Sequence, residues 1–302
     1  MNKFLKPGRW VLAFILVYGL SGELSAQAPV RAEEHQSPPP HLHANLWMQT
    51  SAEYQALCRQ TFSSALREIK QAAKKAKRRQ GRPVGPNKKP LAVVADLDET
   101  ILDNARFQSA MDAAVWADGM DLGYTPKRWE QWERDNAEEV GLVPGAGPFI
   151  ADVEKLKVVM VYISNRVERL KDSTIRALAH NGINTQGLQD GLELRLLLKE
   201  PEKSGSSKQD RIKRVDEKYH VVAYLGDNLG DFPASPEAPQ DRTQQLVARR
   251  QYVESNTDLW GTRYFMLPNP VYGSWDQILP KTVKERMELL KRATNLAFVG
   301  AK

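Results

Sequence analysis

Three short stretches of this chain place carboxylates, hydroxyls and amides directly after apolar runs. The first reads Val93-Val94-Ala95-Asp96-Leu97-Asp98-Glu99-Thr100, the second Val161-Tyr162-Ile163-Ser164-Asn165-Arg166, and the third Tyr224-Leu225-Gly226-Asp227-Asn228-Leu229-Gly230-Asp231. A lysine-rich segment with Lys199, Lys203 and Lys208 lies between the last two. Short β-rich runs of this kind read as strands, and in an open parallel sheet ligands sit at the carboxyl ends of strands. If the three ends meet, Asp96, Asp98, Asp227 and Asp231 repel one another unless a cation is held among them. Hard carboxylate oxygens without cysteine or histidine select Mg²⁺, which takes a few carboxylates together with water and phosphate oxygens.

Such a site suits phosphoryl transfer. Asp96, at the strand end, would attack phosphorus as the nucleophile and carry an aspartyl-phosphate. Asp98, two residues on, would protonate the leaving oxygen and later deprotonate the attacking water. The Ser164 hydroxyl and the Asn165 amide would hold phosphate oxygens, and a lysine would offset the charge of nucleophile and phosphoryl group. Asp227 would complete the metal site, with Asp231 orienting a bound water or the lysine. Taken alone, Asp-x-Asp-x-Thr is a weak signal, because aspartates also end strands as turns and helix caps; the coincidence of three such strand ends carries the reading.

The elements that must position these residues follow from periodicity. Strands are expected at 91–95, 158–163, 194–198, 221–225 and 263–267, alternating with helical stretches, and this order predicts a mainly parallel sheet. The interval between the first two strands exceeds one crossover helix and carries helical patterns at 111–117 and 126–138, so a small cap insertion is expected over about 104–145. Ahead of the sheet, Tyr54, Leu57, Cys58, Phe62, Ala65, Leu66, Ile69, Ala72 and Ala73 recur near the 3.6 period of one long amphipathic helix. It ends in a basic run, Lys74, Lys75, Lys77, Arg78 and Arg79, read as a solvated helix end, followed by a loop marked by Gly81, Pro83, Gly85 and Pro86. The tail 275–302 reads as helical.

At the amino terminus Lys3, Lys6 and Arg9 precede an apolar run over 10–20, too short for a stable membrane span, with small residues Ser25, Ala26 and Ala28 after it. Residues 1–28 therefore read as a secretory signal peptide and 29–45, with Pro38, Pro39, Pro40 and the histidines His35, His41 and His43, as a flexible linker. The remaining 46–302 form one catalytic domain. A single cysteine, Cys58, excludes an intramolecular disulfide and a multi-cysteine metal site. The 302 residues are 41% hydrophobic and 26% charged, a globular composition, and 43 basic against 37 acidic residues make a mild excess that selects no partner.

With these residues in view, the chain resembles the haloacid dehalogenase (HAD) superfamily of phosphohydrolases, and more closely the class C acid phosphatases, the bacterial lipoprotein 5′-nucleotidase family. The resemblance rests on Leu46 to Tyr54, Ala92 to Asn104, Ile163-Ser164-Asn165-Arg166, Gly226 to Phe232 and Met266-Leu267-Pro268-Asn269. It implies an α/β fold, Rossmann-like, with a mainly parallel sheet flanked by helices and a small helical cap. It also implies a metal held by the Asp96 carboxylate, the Asp98 main-chain carbonyl and Asp227. The lysine of the third motif matches Lys208 best, with Lys203 the alternative. Trp129 and Tyr272 stand where the family holds the organic part of a nucleotide on aromatic faces, although Trp129 and Trp132, three apart on a helix, also read as cap core.

The implied activity is an exported Mg²⁺-dependent acid phosphatase acting on small phosphomonoesters such as nucleoside 5′-monophosphates. No nucleic acid polymer is expected as partner, and the resemblance is compatible with a homodimer. Lipoprotein members carry a cysteine directly after the signal peptide; none stands here, so the expected form is periplasmic or secreted without a lipid anchor. Two alternatives stay open: a cation-holding binding protein without catalysis, and a phosphotransferase using the same site.

Overall fold

The computed structural model describes residues 41–118, 124–189, 191, 193–200, 207–236, 242–280 and 282–294. The expected signal peptide, most of the linker and Lys203 lie outside them. In chain order the elements are α1 (Leu42–Thr50), α2 (Ala52–Lys75), β1 (Lys77–Arg79), β2 (Arg82–Val84), β3 (Leu91–Ala95), β4 (Leu102–Asp103), α3 (Ala105–Asp118), α4 (Pro126–Asp135), β5 (Gly141–Leu142), α5 (Ala146–Lys155), β6 (Val159–Val167), α6 (Lys171–His180), β7 (Leu196–Lys199), α7 (Gln209–Lys218), β8 (His220–Gly226), α8 (Arg242–Ser255), β9 (Tyr264–Met266), α9 (Ser274–Gln277) and α10 (Val283–Thr294).

The five expected strands form one five-stranded sheet in the order β7-β6-β3-β8-β9, with every neighbouring pair parallel. β3 is central and buried at all five positions, which is why its sequence, Leu-Ala-Val-Val-Ala, shows no alternation. Its odd positions, Leu91, Val93 and Ala95, join the core beneath α2 and α5, while Ala92 and Val94 join Ile212 and Val215 of α7 and Tyr219 just after it. α2 starts at Ser51, whose hydroxyl accepts the Tyr54 N–H at 3.0 Å. Tyr54, Cys58, Phe62, Ala65, Ile69 and Ala73 form its buried stripe, with successive spacings of three and four.

Several expectations are corrected. The basic run does not simply trail into a loop: β1 and β2 pair as an antiparallel hairpin, Lys77 opposite Val84 and Arg79 opposite Arg82, with Gln80 and Gly81 supplying the positive φ of 50° and 75° that a two-residue turn requires. α1 begins at Leu42, inside the stretch read as linker, with Asn45 and Met48 buried. The cap segment is not wholly helical either. Besides α3 and α4 it carries the ribbon β4–β5, pairing Leu102 with Leu142 and Asp103 with Gly141. A two-residue strand is too short to show a period, so nothing local announces it.

Candidate active site

The parallel strands bring the three motifs to one edge because all of them run the same way. Asp96 follows β3 and Asp227 follows β8; the Asp96 N–H donates to Leu225 O at 3.0 Å, so the two strand ends stay in register up to the first carboxylate. Asp231 sits in a 3₁₀ turn after β8 and accepts the Asn228 N–H at 2.9 Å. Gly226 permits this return, since a Cβ there would lie 2.3 Å from the Asp231 Cβ. Lys208, at the N-cap of α7, inserts its ammonium between Asp96 Oδ1 (2.5 Å) and Asp231 Oδ1 (2.7 Å).

One oxygen each from Asp96, Asp227 and Asp231 lies within 4.8 Å of the others. Burial raises Asp96 well above the ordinary carboxyl range; Lys208 opposes the rise, and Asp231, Asp227 and Asp98 add to it. Asp227 is pushed up to about 7 by burial and by Asp231, with the Asn269 amide, 2.8 Å from its Oδ2, pulling the other way. Burial lowers the affinity of Lys208 for its proton, but Asp231 and Asp96 more than restore it, so its ammonium is held firmly. Three crowded carboxylates face one ammonium, and an oxygen-seeking divalent cation fits that donor set. Both Asp231 oxygens are already engaged, by Lys208 and the Asn228 N–H, so Asp231 serves as the support of the lysine.

The Asp98 carboxylate does not join this group. It points toward β6, where Arg166 grips it through Nη2 (2.8 Å) and Nε (3.0 Å) to Oδ1, Asn104 Nδ2 donates to the same oxygen at 2.9 Å, and the Ser164 hydroxyl donates to Oδ2 at 3.3 Å. A register shift of β6 against β7 between Ile163 and Val167 sets the Ser164-Asn165-Arg166 segment apart from the regular ladder. Ser164 is fully buried beside Asp98, whereas Asn165 is exposed and its Oδ1 accepts Arg211 Nη2 at 2.6 Å. Arg211, on α7, also donates Nη1 to Ser164 O at 2.5 Å, tying this end of β6 to the helix that Lys208 caps.

Of the residues read from sequence, the structure thus brings together Asp96, Lys208, Asp227 and Asp231 on one side and Asp98 with Ser164 on the other. The two aromatic candidates are placed differently from each other. Trp129 on α4 meets Phe107 edge-on at 5.1 Å and lies 5.7 Å from the Arg166 guanidinium. Tyr272 packs on the core and donates its N–H to Asn269 Oδ1 at 3.3 Å. Among the described residues no ring contact joins the two. Trp132 is half-buried and donates its indole N–H to Asn104 Oδ1 at 3.3 Å, linking cap to site.

Sequence reading assigned no role to Arg166, Asn104, Glu99, Arg211 or Asn269. Glu99, Asn104, Arg166 and Asn269 stood inside quoted motifs; Arg211 carried no signal. Glu99 turns the chain with φ 57° and accepts the Asn104 N–H at 3.0 Å from a fully buried carboxylate. Glu133 on α4 was also missed. It is 0% exposed, and burial drives its carboxyl up to about 7, with Arg166 opposing and Asp98 adding to the rise.

A carboxyl with a raised folded pKa holds a proton that the unfolded chain releases. Its favourable contribution is therefore whole below the ordinary value of 4.5 and declines as pH rises to about 7. A gap of this size is worth on the order of 3 kcal/mol. Urea unfolding of the wild type and Glu133→Gln between pH 4.5 and 8 should show the variant gaining relative stability as pH rises; parallel curves would contradict the buried charge.

A family model described as HAD superfamily, subfamily IIIB (acid phosphatase), matches residues 24–275. Among solved structures, the chain is similar to the class C acid phosphatase from Bacillus anthracis, with 28% identity, a TM-score of 0.65, and coverage of 85% of this chain and 96% of that one. The tungstate-bound form of the same enzyme aligns at 28% identity with a TM-score of 0.66 and the same coverage.

Proposed function

Because the chain belongs to the subfamily IIIB acid phosphatases of the HAD superfamily, we propose that it is an exported, Mg²⁺-dependent phosphatase that hydrolyses nucleoside 5′-monophosphates and other small phosphomonoesters. The observation that supports the chemistry best is the division of the two aspartates. Asp96 lies against an ammonium that would neutralise an incoming phosphoryl group, while Asp98, two residues on, is held by a separate guanidinium. Nucleophile and acid/base are thereby kept in different electrostatic surroundings, which lets them take different roles.

In this reading the ionised Asp96 carboxylate attacks phosphorus, forming a new P–O bond as the bond to the ester oxygen breaks. Asp98 delivers a proton to the departing oxygen. It then takes a proton from the water that attacks the aspartyl-phosphate, releasing orthophosphate and restoring Asp96. Lys208 offsets charge throughout, and Asp231 keeps its ammonium on Asp96. A divalent cation held by Asp96, Asp227 and the Asp98 carbonyl would supply further charge neutralisation at the phosphoryl oxygens. The tungstate bound in the Bacillus anthracis relative, a tetrahedral oxyanion like phosphate, supports the same class of ligand here. Trp129 and Tyr272 would meet the base, and the amino-terminal basic and apolar run supports export.

The test is phosphate release from a panel of nucleoside 5′-monophosphates and p-nitrophenyl phosphate, with Mg²⁺ and with EDTA. Chelation is expected to reduce turnover at least about 100-fold, with recovery on adding Mg²⁺. Turnover indifferent to EDTA would remove the metal from the proposal. No release from folded, metal-loaded protein would favour a cation-holding binder, and preference for p-nitrophenyl phosphate over every nucleotide would remove the base-stacking role.

A further inference from the structure

Arg211 stands in the first turn of α7, which Lys208 caps, and is 9% exposed. Its Nη1 donates to Ser164 O at 2.5 Å and, more loosely, to Leu197 O at 3.5 Å; its Nη2 donates to Asn165 Oδ1 at 2.6 Å and to Ser207 O at 3.2 Å. Its acceptors among the described residues are all neutral oxygens. Burying a guanidinium without a carboxylate beside it is costly, and a smaller polar side chain would satisfy one carbonyl at lower cost. The planar fork does what a single donor does not: it fixes the Ser164 carbonyl and the side chain of the next residue at the same time. A guanidinium only donates, so the end of the Asn165 amide that faces it is the oxygen, and this contact settles which way the amide is turned. The Nδ2 end, which carries both N–H donors, is thereby turned away from Arg211. Asn165 is exposed, near the carboxyl end of β6 where the candidate site lies.

We propose that Arg211 is a positioning residue for phosphoryl recognition: by holding the Asn165 oxygen it presents the Asn165 N–H donors to the phosphoryl oxygens. The inference rests on the reading of Asn165 as a residue that holds phosphate. A freely turning amide offers its oxygen as readily as its nitrogen, and an amide oxygen set against a phosphoryl oxygen repels it; the arginine removes that orientation before the ligand arrives. The consequence is a dependence between the two residues. Without Arg211 the oxyanion loses much of the Asn165 contact, and without Asn165 the arginine has nothing left to contribute to the oxyanion. A residue that merely packs α7 against β6 and β7 would exert its effect whether or not Asn165 is present.

The experiment measures the dissociation constant of tungstate, the tetrahedral oxyanion bound in the Bacillus anthracis relative, by calorimetry at neutral pH. The proteins are full-length, Mg²⁺-loaded wild type, Asn165→Ala, Arg211→Met, Arg211→Lys, and Asn165→Ala combined with each Arg211 change, with melting temperature as the measure of folding. Asn165→Ala is expected to weaken binding about 10-fold, the scale of one hydrogen bond to a charged group. Both Arg211 variants should weaken it about 5-fold or more, since neither side chain offers the fork, and the combined variants should bind within about 2-fold of Asn165→Ala. Combined variants that multiply the two single losses, folded Arg211 variants that bind as the wild type does, or failure of both Arg211 variants to fold would each overturn the inference. If Asn165→Ala leaves tungstate binding unchanged, the phosphate-holding reading of Asn165 fails and takes the inference with it. A wild type that takes up no tungstate would sink the oxyanion site of the proposed function and, with it, everything built on Asn165.

Discussion

Asp96→Asn is expected to abolish phosphate release, by about 10⁴-fold or more, while leaving a folded protein. The amide keeps the shape of the carboxyl but cannot form the covalent bond to phosphorus, so no other group at this edge can substitute: Asp98 faces Arg166, and Asp231 is engaged by Lys208 and the Asn228 N–H. The fold should tolerate the change because it removes one of three crowded carboxylates, leaving Lys208 still paired with Asp231. The melting temperature without added metal should accordingly match or exceed that of the wild type. Residual turnover above about 1% of wild type, in a preparation free of contaminating phosphatase, would displace Asp96 as the nucleophile.

Lys208→Met should be damaging in both stability and turnover. Its ammonium is buried between Asp96 and Asp231, and removing one member of a buried ionic cluster leaves the others uncompensated, at a cost of about 3–5 kcal/mol. The loss should depend on pH in a definite direction. Without the ammonium, Asp96 and Asp227 retain their protons to still higher pH than they do already, so the folded state binds protons that the unfolded state releases. The penalty is then smallest near pH 4 and grows as pH rises toward neutrality. Added Mg²⁺ should raise the melting temperature of the variant more than that of the wild type, because the cation would supply charge the lysine no longer does. Turnover should fall about 10²–10³-fold, the scale seen when one preorganised charge partner of a transition state is lost. Urea unfolding at pH 5 and pH 8, with and without Mg²⁺, checks the first part and phosphate release the second. A penalty that does not change with pH would contradict the buried cluster.

The five strands, their common direction, the long amphipathic α2 and the three acidic strand ends can all be read from the residue order. These are legible because each rests on local pattern: an unbroken run of apolar residues, a 3.6-residue period, or two aspartates two residues apart after a strand. The parallel order then places the ends together, since strands running the same way present all their carboxyl ends at one edge. Lys208 became legible through its match to a known motif, while its position between Asp96 and Asp231 is a contact across 23 residues that no local spacing records.

The finer division of labour emerges only on folding. Arg166 reaches Asp98 across 68 residues, Trp132 reaches Asn104 across 28, and Arg211 draws Asn165 toward α7 across 46. Glu133 stands on a short helix rich in charged residues, where nothing local marks it for burial, yet it is 0% exposed in the folded chain. Local pattern specifies which face of an element is apolar, and therefore what it packs against. The pairing of particular polar side chains depends on angles and distances between whole elements, which are set by the packing of the entire core and become visible only once the chain is folded.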